Sequence, residues 1–373
     1  MKILVIPDSF KGTLKASHLA SIIKETLLKI NSSLAIDTIP LSDGGDGMLD
    51  ALKALKKTTL HSLNVRGANL QIKKASYIKK GNQAFIEMAQ ASGLDTINLE
   101  KENAMNTSTL GVGDIVKHAY NSGARHFVIG LGGSATNDGG IGFLHALGYR
   151  FLDYEQQDLA PVGKNLIHID SIDASNAVSL KDATFTLMTD VNNPLLGEKG
   201  ATYVFGPQKG LSKDEILYLE RGLNHYATLL GNVKGKDFTS FKGSGAAGGF
   251  AISVNAFLNT TLRSGISYIF DLLNIESAIK HADIIISGEG KFDQQTAYNK
   301  APFEVIKHAK KYGKFIIILA GIVETDFPQL KIDIIRAIHP KNTALNDMLN
   351  PCITKENLIQ TVNDLAPYFK KKP

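Results

Sequence analysis

The 373-residue chain holds a single cysteine, Cys352. A lone thiol excludes an intrachain disulfide and fits a reducing compartment. Long apolar runs are also missing. The longest, Phe315 to Val323, falls far short of the roughly 20 residues that span a bilayer. The opening MKILVIPDS carries one Lys and a short apolar strand ended by Pro7, too brief for the core of a signal peptide. These absences point to a cytoplasmic protein with no membrane partner. Neither sign of charge dominates: 41 Lys and Arg face 36 Asp and Glu, a formal +5. The basic cluster Lys370 to Lys372 reads as a solvated tail, so nucleic acid is not expected as a partner. The mild positive balance suits small anionic substrates.

Several familiar devices are absent as well. No GxxxxGK[ST] string occurs, which excludes a P-loop, and no HExxH or paired CxxC supports zinc. A GxSxG nucleophile elbow is missing too. Gly243, Gly245 and Gly248 match GxGxxG. No strand-like run precedes them, however, so as a dinucleotide fingerprint the match is weak.

What is present is an α/β rhythm. Lys2 to Ile6 reads as a strand, and Leu19, Ile22, Ile23, Leu27 and Ile30 recur at helical spacing. A second strand over Ile36 to Leu41 completes a βαβ opening and implies a parallel sheet. Leu70 to Ile78 and Ala84 to Met88, joined by Lys79-Lys80-Gly81-Asn82, read as a hairpin that brings in antiparallel strands. Phe127 to Leu131 and Phe185 to Met188 read as buried strands. The βα rhythm returns with Ile284 to Ile286, a helix opened by Pro302 and closed near Gly313, and Phe315 to Leu319. The expected organisation is discontinuous: residues 1–60 and 280–373 form one doubly wound α/β domain, and residues 61–279 an inserted α+β domain.

Ligands of open α/β sheets collect beyond the carboxyl ends of the strands, so polar loops that follow apolar runs are the places to search. Five qualify: Pro7 to Gly12, Ser42 to Gly47, Gly130 to Gly140, Thr189 to Pro194 and Ser287 to Thr296. In the third, Gly132, Gly133, Ser134, Ala135 and Thr136, followed by Asn137, offer backbone N–H groups and hydroxyls where a helix is expected to start, a surface suited to phosphate. The carboxylates Asp43, Asp46, Asp138, Asp190, Glu289 and Asp293 are the hard oxygen ligands that magnesium prefers, although each Asp could equally cap a helix. Lys11, Lys209 and Lys291 lie in glycine-flanked loops and could neutralise phosphate or a substrate carboxylate.

Taken in order, PDSFKGTL from Pro7, PLSDGGDG from Pro40, GLGGSATNDGG from Gly130, DVNNPL from Asp190, FGPQKG from Phe205, GSGAAGG from Gly243 and SGEGKFDQQTAYNKAP from Ser287 resemble the motifs of the glycerate kinase type 1 family. The departures are Asp46 where the family usually has Glu and Asn299 where it usually has Gly. The resemblance implies a flavodoxin-like domain with an inserted domain, an active site in the cleft between them, and transfer of a phosphoryl group from ATP to D-glycerate with Mg. Members mostly make 2-phosphoglycerate and some make the 3-phosphate, and these loops do not decide between the two. It further implies Asp8, Lys11, Asp190 and Asp293 as catalytic residues, with Asp190 or Asp293 at the acceptor hydroxyl. The implied nucleotide site is Gly132 to Asn137. Ser9, Lys209, Lys291, Gln295 and Thr296 are implied to bind substrate, and Asp43, Asp138 and Glu289 to bind metal. The alternatives are a non-catalytic glycerate-binding regulator and a nucleotide-dependent oxidoreductase using Gly243 to Gly248.

Overall fold

The computed structural model describes residues 1–45, 47–53, 55–294, 301–324 and 330–369. The chain divides into two compact units, one of Met1–Asp43, Asp50–Leu55 and Ile266–Pro373, the other of Gly44–Leu49 and Lys56–Gly265. In chain order the described strands are β1 (Lys2–Pro7), β2 (Ala35–Thr38), β3 (Thr59–Arg66), β4 (Ile72–Lys80), β5 (Gln83–Glu87), β6 (His126–Gly130), β7 (Arg150–Leu152), β8 (Ser171–Asp173), β9 (Thr184–Met188), β10 (Thr260–Arg263), β11 (Ile284–Phe292), β12 (Phe315–Val323) and β13 (Ile334–Ala337). With the intervening helices they make a mixed α/β fold.

The first unit is built on a five-stranded sheet in the order β13-β12-β11-β1-β2, in which every pairing is parallel. Such strands are covered on both faces and read as continuous apolar runs. Ile3 to Ile6 and Ile284 to Ile286 are buried accordingly. Helix Ala16–Ile30 turns Leu19, Ile23 and Leu27 into this core, where they meet Leu358 and Val362 of helix Pro351–Asp364.

Strand β11 continues through Phe292, whereas the sequence reading ends it at Ile286 and makes a loop of Ser287 onward. The cause lies in two glycines. A Cβ on Gly288 would stand 1.8 Å from the carbonyl oxygen of Leu319, and one on Gly321 would stand 2.4 Å from that of Gly290. Glycine here lets β11 and β12 approach closely, although its absence of a side chain hides the strand from pattern reading.

The second unit holds a six-stranded sheet in the order β10-β9-β6-β5-β4-β3. Strands β3, β4 and β5 pair antiparallel, while β5, β6, β9 and β10 run parallel. The hairpin between β4 and β5 turns through Gly81 at φ 60°. Stacked Phe127 and Phe185, with ring centroids 4.8 Å apart, and Phe143 against Phe250 at 5.1 Å anchor the core. The register aligns Glu87, Gly130, Met188 and Arg263 across the carboxyl ends of the four parallel strands. Loops 131–140 and 189–194 therefore leave the sheet at one edge. No helix among the described residues is long and apolar enough to cross a membrane.

Candidate active site

In the first unit, the loop after β1 supplies Asp8, Ser9 and Lys11. The backbone N–H of Asp8 donates to the carbonyl of Gly288 at 2.8 Å, which ties the loop to β11. The N–H of Ser9 donates to Asp8 Oδ1 at 2.6 Å. Gly290 faces this loop, and a Cβ there would meet Phe10 Cα at 3.5 Å and Lys11 N at 3.6 Å, an ordinary contact distance. Burial and then the charge of Asp43 push the Asp8 carboxyl up to about 7, with Glu289 adding to the rise; the Ser9 N–H and Lys11 oppose it. Asp8, Ser9, Lys11, Asp43 and Glu289 thus form one group. Glu289 is buried at 6% exposure, on a strand and not on a loop.

Lys291 and Asp293 form a second group near the end of β11. The exposed Lys291 Nζ lies 2.6 Å from Glu324 Oε1 and 3.5 Å from Asp293 Oδ2. The Glu324 contact leads in raising the lysine's pKa. Gln295, Thr296, Asn299 and Asp46 lie outside the described residues.

In the second unit, the glycine-rich loop differs from its sequence reading. The helix it precedes begins at Ile141, so the segment Gly132 to Thr136 is a true loop and not a helix N-terminus. Only Gly132 and Gly133 are exposed; Ser134, Ala135, Thr136 and Asn137 are buried. The Ala135 N–H donates to the Ser92 carbonyl, and Asn137 Nδ2 donates to Thr202 Oγ1. Among the described residues, buried Thr136 Oγ1 and Asn137 Oδ1 find no hydrogen-bond partner.

Asp138 is fully buried, and its carboxylate is enclosed by protein donors. Oδ2 accepts from the Thr109 N–H, the Thr109 hydroxyl and the Gly142 N–H, and Oδ1 accepts from the Gly140 N–H. Burial raises its pKa, and these four donors offset the rise. This is a loop clasp. Asp43 and Glu289 belong to the other unit. Among the described residues, no three of His, Cys, Asp and Glu gather to hold a metal unaided.

Asp190 follows β9, and its Oδ1 accepts from Ser264 Oγ at 2.6 Å. Lys209, read as lying in a glycine-flanked loop, is buried. The GSGAAGG segment also has a packing role. A Cβ on Gly248 would fall 2.4 Å from Asn137 Cα, and one on Gly245 would fall 2.2 Å from the Pro194 carbonyl. The segment follows no strand and leads through a 3₁₀ turn into helix Phe250–Phe257, unlike the strand–turn–helix of a dinucleotide fingerprint.

Four residues escape the sequence reading: Glu87, Thr109, Ser264 and Glu324. Glu87 is buried, with Oε1 accepting from the Leu49 N–H at 2.6 Å and Oε2 accepting from Gln90 Nε2 at 2.9 Å. It ends an apolar strand in the same way as the acids that were found, and that signal was available.

A model of the glycerate kinase family matches residues 3–370. A glycerate kinase of Bacillus cereus is 38% identical over 376 residues, covering 99% of this chain and 98% of that protein. A glycerate 2-kinase of Escherichia coli is 38% identical over 329 residues, covering 87% of this chain and 86% of that one. A crystal structure from Salmonella typhimurium LT2, put forward as a glycerate kinase 2, superposes with a TM-score of 0.84 at 35% identity and covers 99% of this chain and 98% of its own.

Proposed function

This chain belongs to the glycerate kinase family and is a phosphotransferase, and on that footing we propose that it transfers the γ-phosphoryl group of ATP to D-glycerate, with magnesium, in the cytoplasm, giving 2-phosphoglycerate. The observation that carries the site assignment is the crowding of Asp8 by Asp43 and Glu289 beside Lys11. Carboxylates so placed repel one another unless a cation or proton intervenes.

Asp43 and Glu289 would hold the magnesium. Their donors are hard oxygens, and magnesium needs only one or two carboxylates when substrate phosphates and water complete its shell. Bound there, it supplies neutralisation of phosphate charge. Phosphoryl transfer asks the protein mainly for positioning and charge. The acceptor hydroxyl oxygen of D-glycerate bonds to the γ-phosphorus, the bond to the ADP oxygen breaks, and the hydroxyl proton passes to the Asp8 carboxylate. Lys11 balances the anionic charge at the same place. Asp190 and Asp293 serve as orienting carboxylates, with Ser9, Lys291, Gln295 and Thr296 at the substrate. Gly132 to Asn137 form the nucleotide phosphate surface.

The strand order of the first unit, renumbered within its own sheet, runs 2-1-3-4-5, which supports a flavodoxin-like domain. We read the second unit as the inserted α+β domain. The Escherichia coli relative's name, a glycerate 2-kinase, supports the 2-phosphate product. Asp8→Asn should lower kcat by roughly 10² to 10⁴ with little change in Tm, and NMR of the product should place the ester on C2. Turnover near that of the parent would remove Asp8 from the chemistry, and an ester on C3 would overturn the product assignment.

A further inference from the structure

Lys209 lies at the end of the 3₁₀ turn Pro207–Lys209, and the residue is only 2% exposed. Its ammonium donates to the Thr136 carbonyl at 2.7 Å and to Ser134 Oγ at 3.2 Å. Among the described residues no carboxylate bonds to it; the acid that acts on it is Asp138, whose oxygens are held by Thr109, Gly140 and Gly142. A buried charge without a contact partner is costly. Burial accordingly presses this amine down to about 8, against the pull of Asp138.

An ammonium only donates, so Ser134 Oγ must accept from it, and the serine's own O–H is left to donate elsewhere. Ser134 adjoins Gly132 and Gly133, the exposed part of the loop. Neither glycine N–H enters a hydrogen bond among the described residues, and Gly133 stands at φ 72°. Three donors therefore lie in sequence, with a buried positive charge beneath them.

We propose that Lys209 is a positioning residue that fixes Ser134 as a hydrogen-bond donor toward a phosphoryl oxygen of a nucleoside polyphosphate, held together with the N–H groups of Gly132 and Gly133. The ammonium compensates the ligand's charge from beneath the loop without touching it. This replaces a direct substrate contact for Lys209 and rests on the reading of Gly132 to Asn137 as the phosphate surface.

The test is calorimetric titration of the full-length protein with ADP for Lys209→Met, Lys209→Gln and Ser134→Ala, with Tm and both substrate KM values recorded. Each variant should weaken ADP at least about tenfold, the scale of a lost hydrogen bond to a charged group. The D-glycerate KM should stay within about twofold, and the double variant Ser134→Ala/Lys209→Met should lose little more than the worse single one, because both act through one hydroxyl. A merely structural lysine would lower Tm and leave ADP affinity unchanged in folded Lys209→Gln, which overturns the proposal. Weakening by Ser134→Ala alone would refute the role of Lys209 while leaving the phosphate surface standing. If Ser134→Ala also binds ADP normally, the phosphate reading itself fails. Failure of both Lys209 variants to fold would overturn the proposal as well, since the lysine would then be a requirement of the fold.

Discussion

The carboxylate of Asp138 takes both the N–H and the hydroxyl of Thr109, at 2.8 and 2.7 Å, and so ties the glycine-rich loop to the start of helix Leu110–Asn121. An acid used in this way supports the loop's shape. Asp138→Asn places an amide against the donors of Gly140, Gly142 and Thr109. It should cost about 2–3 kcal/mol, the scale for hydrogen bonds to a buried charge, seen as a drop in Tm of roughly 5–10 °C. Magnesium dependence should be that of the parent. A normal Tm with a large rise in the magnesium requirement would restore Asp138 as a metal ligand.

Gly288→Ala tests the close approach of β11 and β12. With a Cβ directed at the Leu319 carbonyl 1.8 Å away, the strands must part or the backbone must shift. Overpacking of this kind costs about 1–3 kcal/mol and occasionally more, and a backbone obstacle belongs at the upper end. Chemical denaturation should show the loss. An unchanged midpoint would mean that the sheet relaxes freely there.

The crowded Asp8 has a pH signature in the metal-free protein. Its folded pKa of about 7 lies above the ordinary value of 3.8, so the folded state binds the proton more tightly than the unfolded chain does. The stability this contributes is fully present below about pH 4 and is lost as pH rises through about 7. Tm measured with EDTA should therefore fall across that window by more in the parent than in Asp8→Asn. Equal slopes would place Asp8 in ordinary solvent.

Lys11 opposes the rise in the Asp8 pKa and so acts on the same carboxylate as Asp43 and Glu289. Lys11→Ala should lower kcat/KM by at least about a hundredfold, the scale of one lost electrostatic group at a reacting centre, with Tm nearly unchanged. Activity within threefold of the parent would make it an ordinary surface lysine.

Much of this was legible before any coordinates, and the failures share physical causes. Apolar runs such as Lys2 to Ile6 and the Lys80–Gln83 turn were readable because burial on both faces and a left-handed glycine leave local marks. Strand β3 left none: its residues are mostly exposed or half-buried at the sheet edge, so no face is strictly apolar. The far half of β11 was hidden by glycines whose purpose depends on β12, a segment distant in sequence. The acids Asp43 and Glu289 were read as a class, because a polar residue after an apolar run marks a strand's carboxyl end, whereas Asp8 came only with the family resemblance. Asp138 belongs to the same class by sequence, and only its partners Thr109, Gly140 and Gly142 separate it. The glycines flanking Lys209 carried no sign of its burial, which follows from tertiary packing around Thr136.

The central claim is that this chain is a magnesium-dependent kinase acting on D-glycerate, and ADP release measures it most directly. With ATP, Mg²⁺ and D-glycerate together, ADP should appear in proportion to phosphoglycerate; omission of D-glycerate or addition of EDTA should stop it. Full turnover in EDTA, or ADP release indifferent to D-glycerate, would contradict the account.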